Sequence, residues 1–436
     1  MADLKQVARR IFEQTLAAID IPAVMQRKLA RSDSKIFCGD VTVDLREYAR
    51  HRVVAIGKAA HAMVEGLARV LGPEFSFEGV ASAPASSPRP VAGMKYFVAG
   101  HPIPTEASFA AARAILDLLA GSDERTLVFF LLSGGGSALV ELPLESQVRL
   151  EDVGALHRVL VTCGAPIDEI NAVRKHLSAV KGGRLAAAAP RARKLTYGVT
   201  DVPEGRESAL ASGPTLPDPT TIADVERVIR EFDLREKLPA SVRAFLDSRR
   251  LGETPKAGDA AFERAVFTLL LGKSDLFNQA HHATEAVGFI TQCDNTSDDW
   301  PLAKAADFLL GQLEELRQRH PGRRVALIAN GEVSSPVTGD GIGGRNAAFV
   351  LDCVAKIAGK RVAVLSGGTD GVDGNSPAAG AVADGGTLER ARAAGLDPGD
   401  FFRRSDSYSF FAALGDTVVT GPTGNNLRDL RILLAG

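Results

Sequence analysis

The sequence predicts an α/β protein of two Rossmann-like α/β domains with mostly parallel sheets. Three observations predict it. An apolar strand that ends in a Gly, Ser or Asp loop and leads into a helix recurs along the chain. These strands are short, nearly continuous apolar runs, as in parallel sheets buried on both faces. At 436 residues the chain is too long for a single core, and such chains divide into domains.

The elements follow in order. MADLKQVARRIFEQTL at the N-terminus has the spacing of an amphipathic helix. The repeating unit then appears at RVVAIGKAAHAMVEGLARVL (52–71) and TLVFFLLSGGGSALVEL (126–142). KLTYGVTDVPEG (194–205) adds a strand with an acidic, glycine-ending loop. FTLLLGKSDLFNQAHHATEAV (267–287), RRVALIANGE (323–332) and KRVAVLSGGTDGVDG (360–374) repeat the pattern. ASAPASSPRPVAG (81–93) reads as a surface loop. DSRRLGETPKAGDA (247–260) is polar, carries Gly and Pro and lacks periodicity, so it reads as the linker between domains 1–247 and 260–436. Ligands of open α/β sheets sit at the carboxyl ends of strands, and the glycine loops fall there.

Composition excludes several classes. A net charge of −2 gives no general attraction to nucleic acid or an anionic membrane. No apolar run approaches the ~18 residues of a membrane span, and the N-terminus lacks a signal-peptide core. Cys38, Cys163, Cys293 and Cys353 form no CxxC pair, which argues against zinc and disulfides and for a reducing, cytoplasmic setting.

The nucleotide fingerprints are missing. LLLGKSD (269–275) has the end of a P-loop, but the glycine needed five positions before Gly272 is Phe267. No GxGxxG follows a strand, which disfavours an NAD-dependent reductase. Other strings offer anion chemistry instead. Lys58 of IGKAA stands just past a strand, where it can reach a phosphate as a point charge. Ser133, Gly134, Gly135, Gly136 and Ser137 can present backbone N–H groups and two hydroxyls to an oxyanion. In INAVRKHLSAVKGGRLA (170–186), Arg174 and Lys181 are seven apart and would share one helical face. Arg345 and Asn346 lead a helix after the paired glycines that end in Gly344, which suits bidentate anion recognition. Asp370 and Asp373, three apart past a strand, could hold Mg²⁺. TGPTGNN (420–426) adds a turn with Thr423 and Asn425. Together this is an inventory for phosphoryl transfer, which relies on positioning and charge neutralisation.

The chain resembles the bacterial type-2 glycerate kinases with a C-terminal MOFRL domain, some of which carried the name hydroxypyruvate reductase. AIGKAA (55–60), AGHPIP (99–104), LSGGGSAL (132–139), INAVRKHLSAVKGGRLA (170–186), SGPTLPD (212–218), GGRN (343–346), GGTDGVDG (367–374) and TGPTGNN (420–426) carry the resemblance, in family order. The chain departs from the pattern at TDVPEG (200–205), at Ala329-Asn330-Gly331-Glu332, at Ala347-Ala348, at Ser405 and at Asn425. The resemblance implies a two-domain kinase with its active site in the cleft between domains, using ATP and Mg²⁺ to phosphorylate the 2-hydroxyl of D-glycerate. It implies Lys58 and Arg345 as catalytic cations. On this reading Asp201 orients the acceptor hydroxyl or a metal-bound water, and Arg174 clamps a carboxylate. The 133–137 loop, Lys181, Gly344, Asn346, Thr423 and Asn425 bind substrate or phosphate, and Asp370 and Asp373 hold metal. Another short hydroxy acid (tartronate or erythronate in type) or a non-catalytic anion-binding role are the alternatives. Nucleic acid and membrane are not expected partners. A homodimer is left open.

Overall fold

The computed structural model describes residues 3–200, 202, 205–425 and 427–436. A small antiparallel meander comes first: β1 (Ala30–Ser32), β2 (Lys35–Cys38) and β3 (Val41–Asp44). The next six strands make one sheet: β4 (Arg50–Ile56), β5 (Glu78–Ala83), β6 (Met94–Val98), β7 (Thr126–Ser133), β8 (Arg193–Val199) and β9 (Ala265–Leu271). Their order is β6-β5-β4-β7-β8-β9. The pairs β4–β5, β5–β6, β4–β7 and β7–β8 are parallel. The chain winds outward from β4 in one direction, then restarts at β7 on the other side. The sheet therefore has a topological switch point between β4 and β7.

β7 explains why its sequence is apolar throughout: all of Thr126–Ser133 is buried. Val128, Phe130 and Leu132 pack against Ala111, Ala112, Ile115 and Leu119 of the helix Glu106–Ala120. The helix Ala60–Leu71 joins β4 to β5 and packs on β4, β5 and β7. A helical layer with its own core follows, including Leu156, Leu160, Val173, Val225 and Val228.

The second six-stranded sheet holds β10 (Ile290–Asp294), β11 (Val325–Asn330), β12 (Val362–Gly368), β13 (Gly380–Asp384), β14 (Thr417–Val418) and β15 (Asp429–Ala435). Its order is β10-β11-β15-β12-β13-β14. The expectation of mostly parallel strands holds for the first sheet and is corrected for this one. Here β10–β11 is parallel, while β11–β15, β12–β15, β12–β13 and β13–β14 are antiparallel. The reason is β15: the last strand of the chain inserts between β11 and β12 and runs against both. Period and apolarity identify a central strand, but they carry no direction.

The division into units also differs from the expected one. One unit is Ile21–Leu270; the other joins the N-terminal segment up to Asp20 to Leu271–Gly436. The N-terminal helix Leu4–Ala18 packs on β12 and β15. A Cβ on Gly367 would lie 2.7 Å from the Phe12 ring, so the missing side chain in β12 makes the seat for that helix. The polar stretch 247–260 lies inside the first unit. Its Thr254 hydroxyl donates to Asp218 (2.9 Å) and its Glu253 accepts from the Ile222 amide (3.0 Å). The stretch then feeds β9, the edge of the first sheet.

Candidate active site

The two loops at the switch point of the first sheet are tied to each other. The Lys58 amide donates to the Gly134 carbonyl (2.9 Å), and the Ala59 amide donates to Ser133 Oγ (3.0 Å). Ser133 is fully buried, so its hydroxyl stitches β4 to β7 and is not a ligand group. Two of the three glycines have steric reasons. Gly135 has φ of 81°, the left-handed region, and a Cβ there would lie 2.9 Å from the His101 ring. A Cβ on Gly136 would lie 2.7 Å from Ala211 Cβ. Ser137 shares a hydrogen bond with Ser212 (2.8 Å), which joins this loop to SGPTLPD. Lys58 stands beside them half-buried, and its ammonium has no partner among the described residues.

The basic string 170–186 is used differently from its sequence reading. The helix Ile167–Leu177 stops before Lys181, so Arg174 and Lys181 do not share a helical face. Lys181 is buried, with its ammonium against Glu141, which also accepts from the Ser178 hydroxyl (2.6 Å). It is a structural ion pair and not a phosphate ligand. Lys175 forms a second buried pair with Asp218 at 3.1 Å. Arg174 lines a small cavity with Glu141, His157, Val153, Leu156 and Phe245. Its Nε is buried with no hydrogen-bond partner among the described residues, while Glu141 is the carboxylate that acts on the guanidinium charge.

His157 in that cavity gives a pH prediction. Burial first, then Arg174, holds its pKa down to about 4 from the ordinary 6.5. The unfolded chain takes up this proton near 6.5 and the folded chain only near 4. The contribution is therefore complete above pH 6.5 and is lost as pH falls towards 4, about 3 kcal/mol in all. Urea midpoints between pH 7 and 4.5 check this against His157→Gln, which should flatten that part of the slope. Equal slopes would show that His157 does not contribute.

In the other unit the charged groups collect at the ends of β10, β11 and β12 and the start of β15. Arg345 opens the helix Arg345–Lys356. Its Nε donates to Asp429 Oδ2 (2.6 Å) and its Nη1 to Glu332 Oε2 (2.8 Å). Burial works against the arginine's charge, but Asp429 and Glu332 outweigh it and raise its pKa. Asp429 also faces Arg431 at 3.9 Å. Arg431 is fully buried under it, with its guanidinium 5.1 Å from the Phe349 ring centroid. Next to this group Asp298 meets Lys273 at 3.6 Å, contacts Arg428, and accepts from the Glu332 amide (2.9 Å). Asp429, Asp298 and Arg431 were missed in the sequence because none stands inside a glycine motif, and Glu332 was noted in Ala329-Asn330-Gly331-Glu332 without being assigned a role. Glu332 and Asp298 could have been flagged as acids following strands.

Several expected ligands serve the scaffold instead. Asp373 is buried, and its two oxygens accept from the Asn346 and Ala347 amides (2.9 and 2.8 Å), capping the helix. Burial pushes its pKa up to about 6 despite those donors. Asn346 is buried and accepts from the Ser366 hydroxyl (2.6 Å). A Cβ on Gly344 would lie 2.3 Å from Asp373 Oδ1, so that glycine admits the cap. Thr423 donates to the Thr369 carbonyl, and Asn425 donates to the Ile19 carbonyl (2.9 Å). Asp201 lies outside the described residues.

Asp370 and Asp373 do not converge as a metal pair, because Asp373 turns inward to its helix. Asp370 and Asp429 instead lie near one another beside Gly368. A Cβ on Gly368 would lie 3.0 Å from Asp370 Oδ1 and 3.6 Å from Asp429 Oδ1. Among the described residues no three His, Cys, Asp or Glu groups could hold a metal by themselves. Mg²⁺ does not need them, since it takes one or two carboxylates with phosphate and water. Hard oxygen donors at this strand end fit it.

Two family models match the chain: Domain of unknown function (DUF4147) over residues 7–247 and the MOFRL family over residues 325–429. The chain is 36% identical over 383 residues to the D-glycerate 2-kinase of Thermotoga maritima, covering 87% of this chain and 89% of that protein. The chain belongs to the MOFRL-domain glycerate 2-kinase family. The glycerate 2-kinase of Pyrococcus horikoshii is 32% identical over 437 residues, covering 99% of this chain and 97% of that one. The crystal structure of the Thermotoga maritima glycerate kinase superposes with a TM-score of 0.86 at 33% identity, covering 99% of each chain. Among the described residues no helix is long and apolar enough to cross a membrane.

Proposed function

We propose that this glycerate 2-kinase family member transfers the γ-phosphoryl group of ATP to the 2-hydroxyl of D-glycerate, giving 2-phosphoglycerate. The observation that carries the reading is the switch point of the first sheet. There a lysine without an ion-pair partner among the described residues and a glycine loop stand at the carboxyl ends of β4 and β7, where open α/β sheets bind ligands. Lys58 neutralises charge on the phosphoryl group in flight. The amides of the 134–137 loop hold an anionic oxygen, phosphate or carboxylate. Arg174 is the clamp for the acid's carboxylate, an anion that its guanidinium nitrogen, without a hydrogen-bond partner among the described residues, can bind. In the second unit Asp370 and Asp429 would hold Mg²⁺, and Arg345 fixes Asp429 for that task. Bound there with ATP, Mg²⁺ would offset the negative charge of the β- and γ-phosphates.

A coupled ADP-release assay with MgATP tests the reading against D-glycerate, L-glycerate, tartronate, hydroxypyruvate and erythronate. Turnover with D-glycerate is expected. Turnover with tartronate or erythronate alone would move the assignment to another acceptor. Silence on all five acids from folded protein would remove kinase activity.

A further inference from the structure

The motif AGHPIP is absorbed by none of the roles above, yet it delivers a side chain to the switch point. β6 is the outer strand of its sheet, three strands from β7. The loop that follows β6 is pinned inward. The Ala99 amide donates to the Ala83 carbonyl (2.9 Å) and the Gly100 amide to Thr105 Oγ1 (3.0 Å). His101, on the tip of this loop, lays its imidazole on Gly135. A Cβ at position 135 would lie 2.9 Å from the ring Cδ2, 3.0 Å from Nε2 and 3.4 Å from Lys58 Cγ. One point in front of the glycine loop is thus shared by an imidazole nitrogen and a lysine stem. His61 and His176 each pair with a carbonyl oxygen (2.8 Å each). The His101 ring, in contrast, has no hydrogen-bond partner among the described residues.

We propose that His101 is the general base of the transfer, taking the proton of the acid's 2-hydroxyl. The proposal rests on the kinase reading. As the hydroxyl oxygen bonds to the γ-phosphorus, the bond from that phosphorus to the bridging oxygen breaks and its electron pair leaves with ADP. The hydroxyl proton passes to the imidazole and is released to solvent after the product departs. Geometry requires a base within reach of the attacking oxygen and of the group that holds the phosphate. His101 meets the second requirement through Gly135 and Lys58. Its charge state also suits the role. Partial desolvation against the glycine loop, then Lys58, lowers the pKa of this exposed histidine from the ordinary 6.5, which favours the free base at pH 7. Lys58 is the charged group acting on it among the described residues. The facing loop after β7 contributes only glycines and Ser137.

The test is the pH profile of kcat/KM for wild type, His101→Gln and His101→Ala. Wild type should show an acid limb below the ordinary histidine range. His101→Gln should lose about 10²–10⁴-fold in kcat, keep its KM for ATP and lose the acid limb. Added imidazole should restore part of the rate to His101→Ala. A His101→Gln enzyme with near wild-type kcat and an intact limb would overturn the proposal, as would a limb that disappears in Asp201→Asn and not in His101→Gln. Wild type silent on D-glycerate would fail the kinase reading itself and take this proposal with it.

Discussion

Lys58→Ala is expected to lower kcat with D-glycerate and ATP by about 10²–10³-fold, the loss typical of removing one preorganised group that faces developing charge. Phosphoryl transfer leaves little covalent chemistry to the protein, so a cation at the phosphoryl oxygens carries a large share of the rate. Lys58 is placed for this by its backbone, not by its side chain: its amide is fixed to the Gly134 carbonyl at 2.9 Å. Among the described residues the ammonium itself has no partner, in contrast to Lys175 and Lys181, which are locked in buried pairs. Removing it strips no hydrogen bond to a described residue, so stability should change by no more than about 0.5 kcal/mol. Lys58→Arg would keep the charge but bring a wider fork to a site whose Cγ already lies 3.4 Å from where a Gly135 Cβ would be. It should recover only part of the rate. Stopped-time ADP release and thermal unfolding of the three proteins check this. Wild-type turnover in Lys58→Ala would remove Lys58 from the reaction.

The strands and the loops after them were legible because both follow from local pattern. An apolar run such as 126–133 must be buried, and a lysine or glycine just past it must lie at the strand's carboxyl end. Partners were not legible. Arg345 reads as a free cation after paired glycines, yet its carboxylates come from positions 13 and 84 residues away. Asp373 looks like half of a metal pair by its spacing from Asp370, but the free amides of the helix Arg345–Lys356 draw it inward. Asn346 and Asn425 share the chemistry of ligands, and only burial reveals that they bond to Ser366 and Ile19. The same limit hid the direction of β15. Residue type and local period define what a group can do, and tertiary pairing decides which groups are already engaged.

Lys181 offers the sharpest test of that distinction, because its two readings predict opposite measurements. A phosphate ligand would lose affinity when changed and leave the fold alone. The buried pair predicts the reverse. Lys181 is 1% exposed and Glu141 4% exposed, so Lys181→Met leaves a buried carboxylate whose Oε2 has lost its ammonium, with Arg174 the charge that still acts on it. Breaking a buried pair on one side costs about 3–5 kcal/mol, and urea unfolding should show a loss of that size. Glu141 cannot simply be replaced by leucine to restore balance. Its Oε1 accepts from the Ser178 hydroxyl (2.6 Å) and the Leu142 amide (3.0 Å), and both donors would be orphaned. The double variant Lys181→Met with Glu141→Gln removes both charges and keeps that acceptor oxygen. It should recover most of the lost stability, a coupling that a double-mutant cycle isolates. At temperatures where each variant is folded, the KM for ATP should stay near the wild-type value. A raised KM in Lys181→Met with unchanged unfolding would return Lys181 to the phosphate site and make the Glu141 contact incidental.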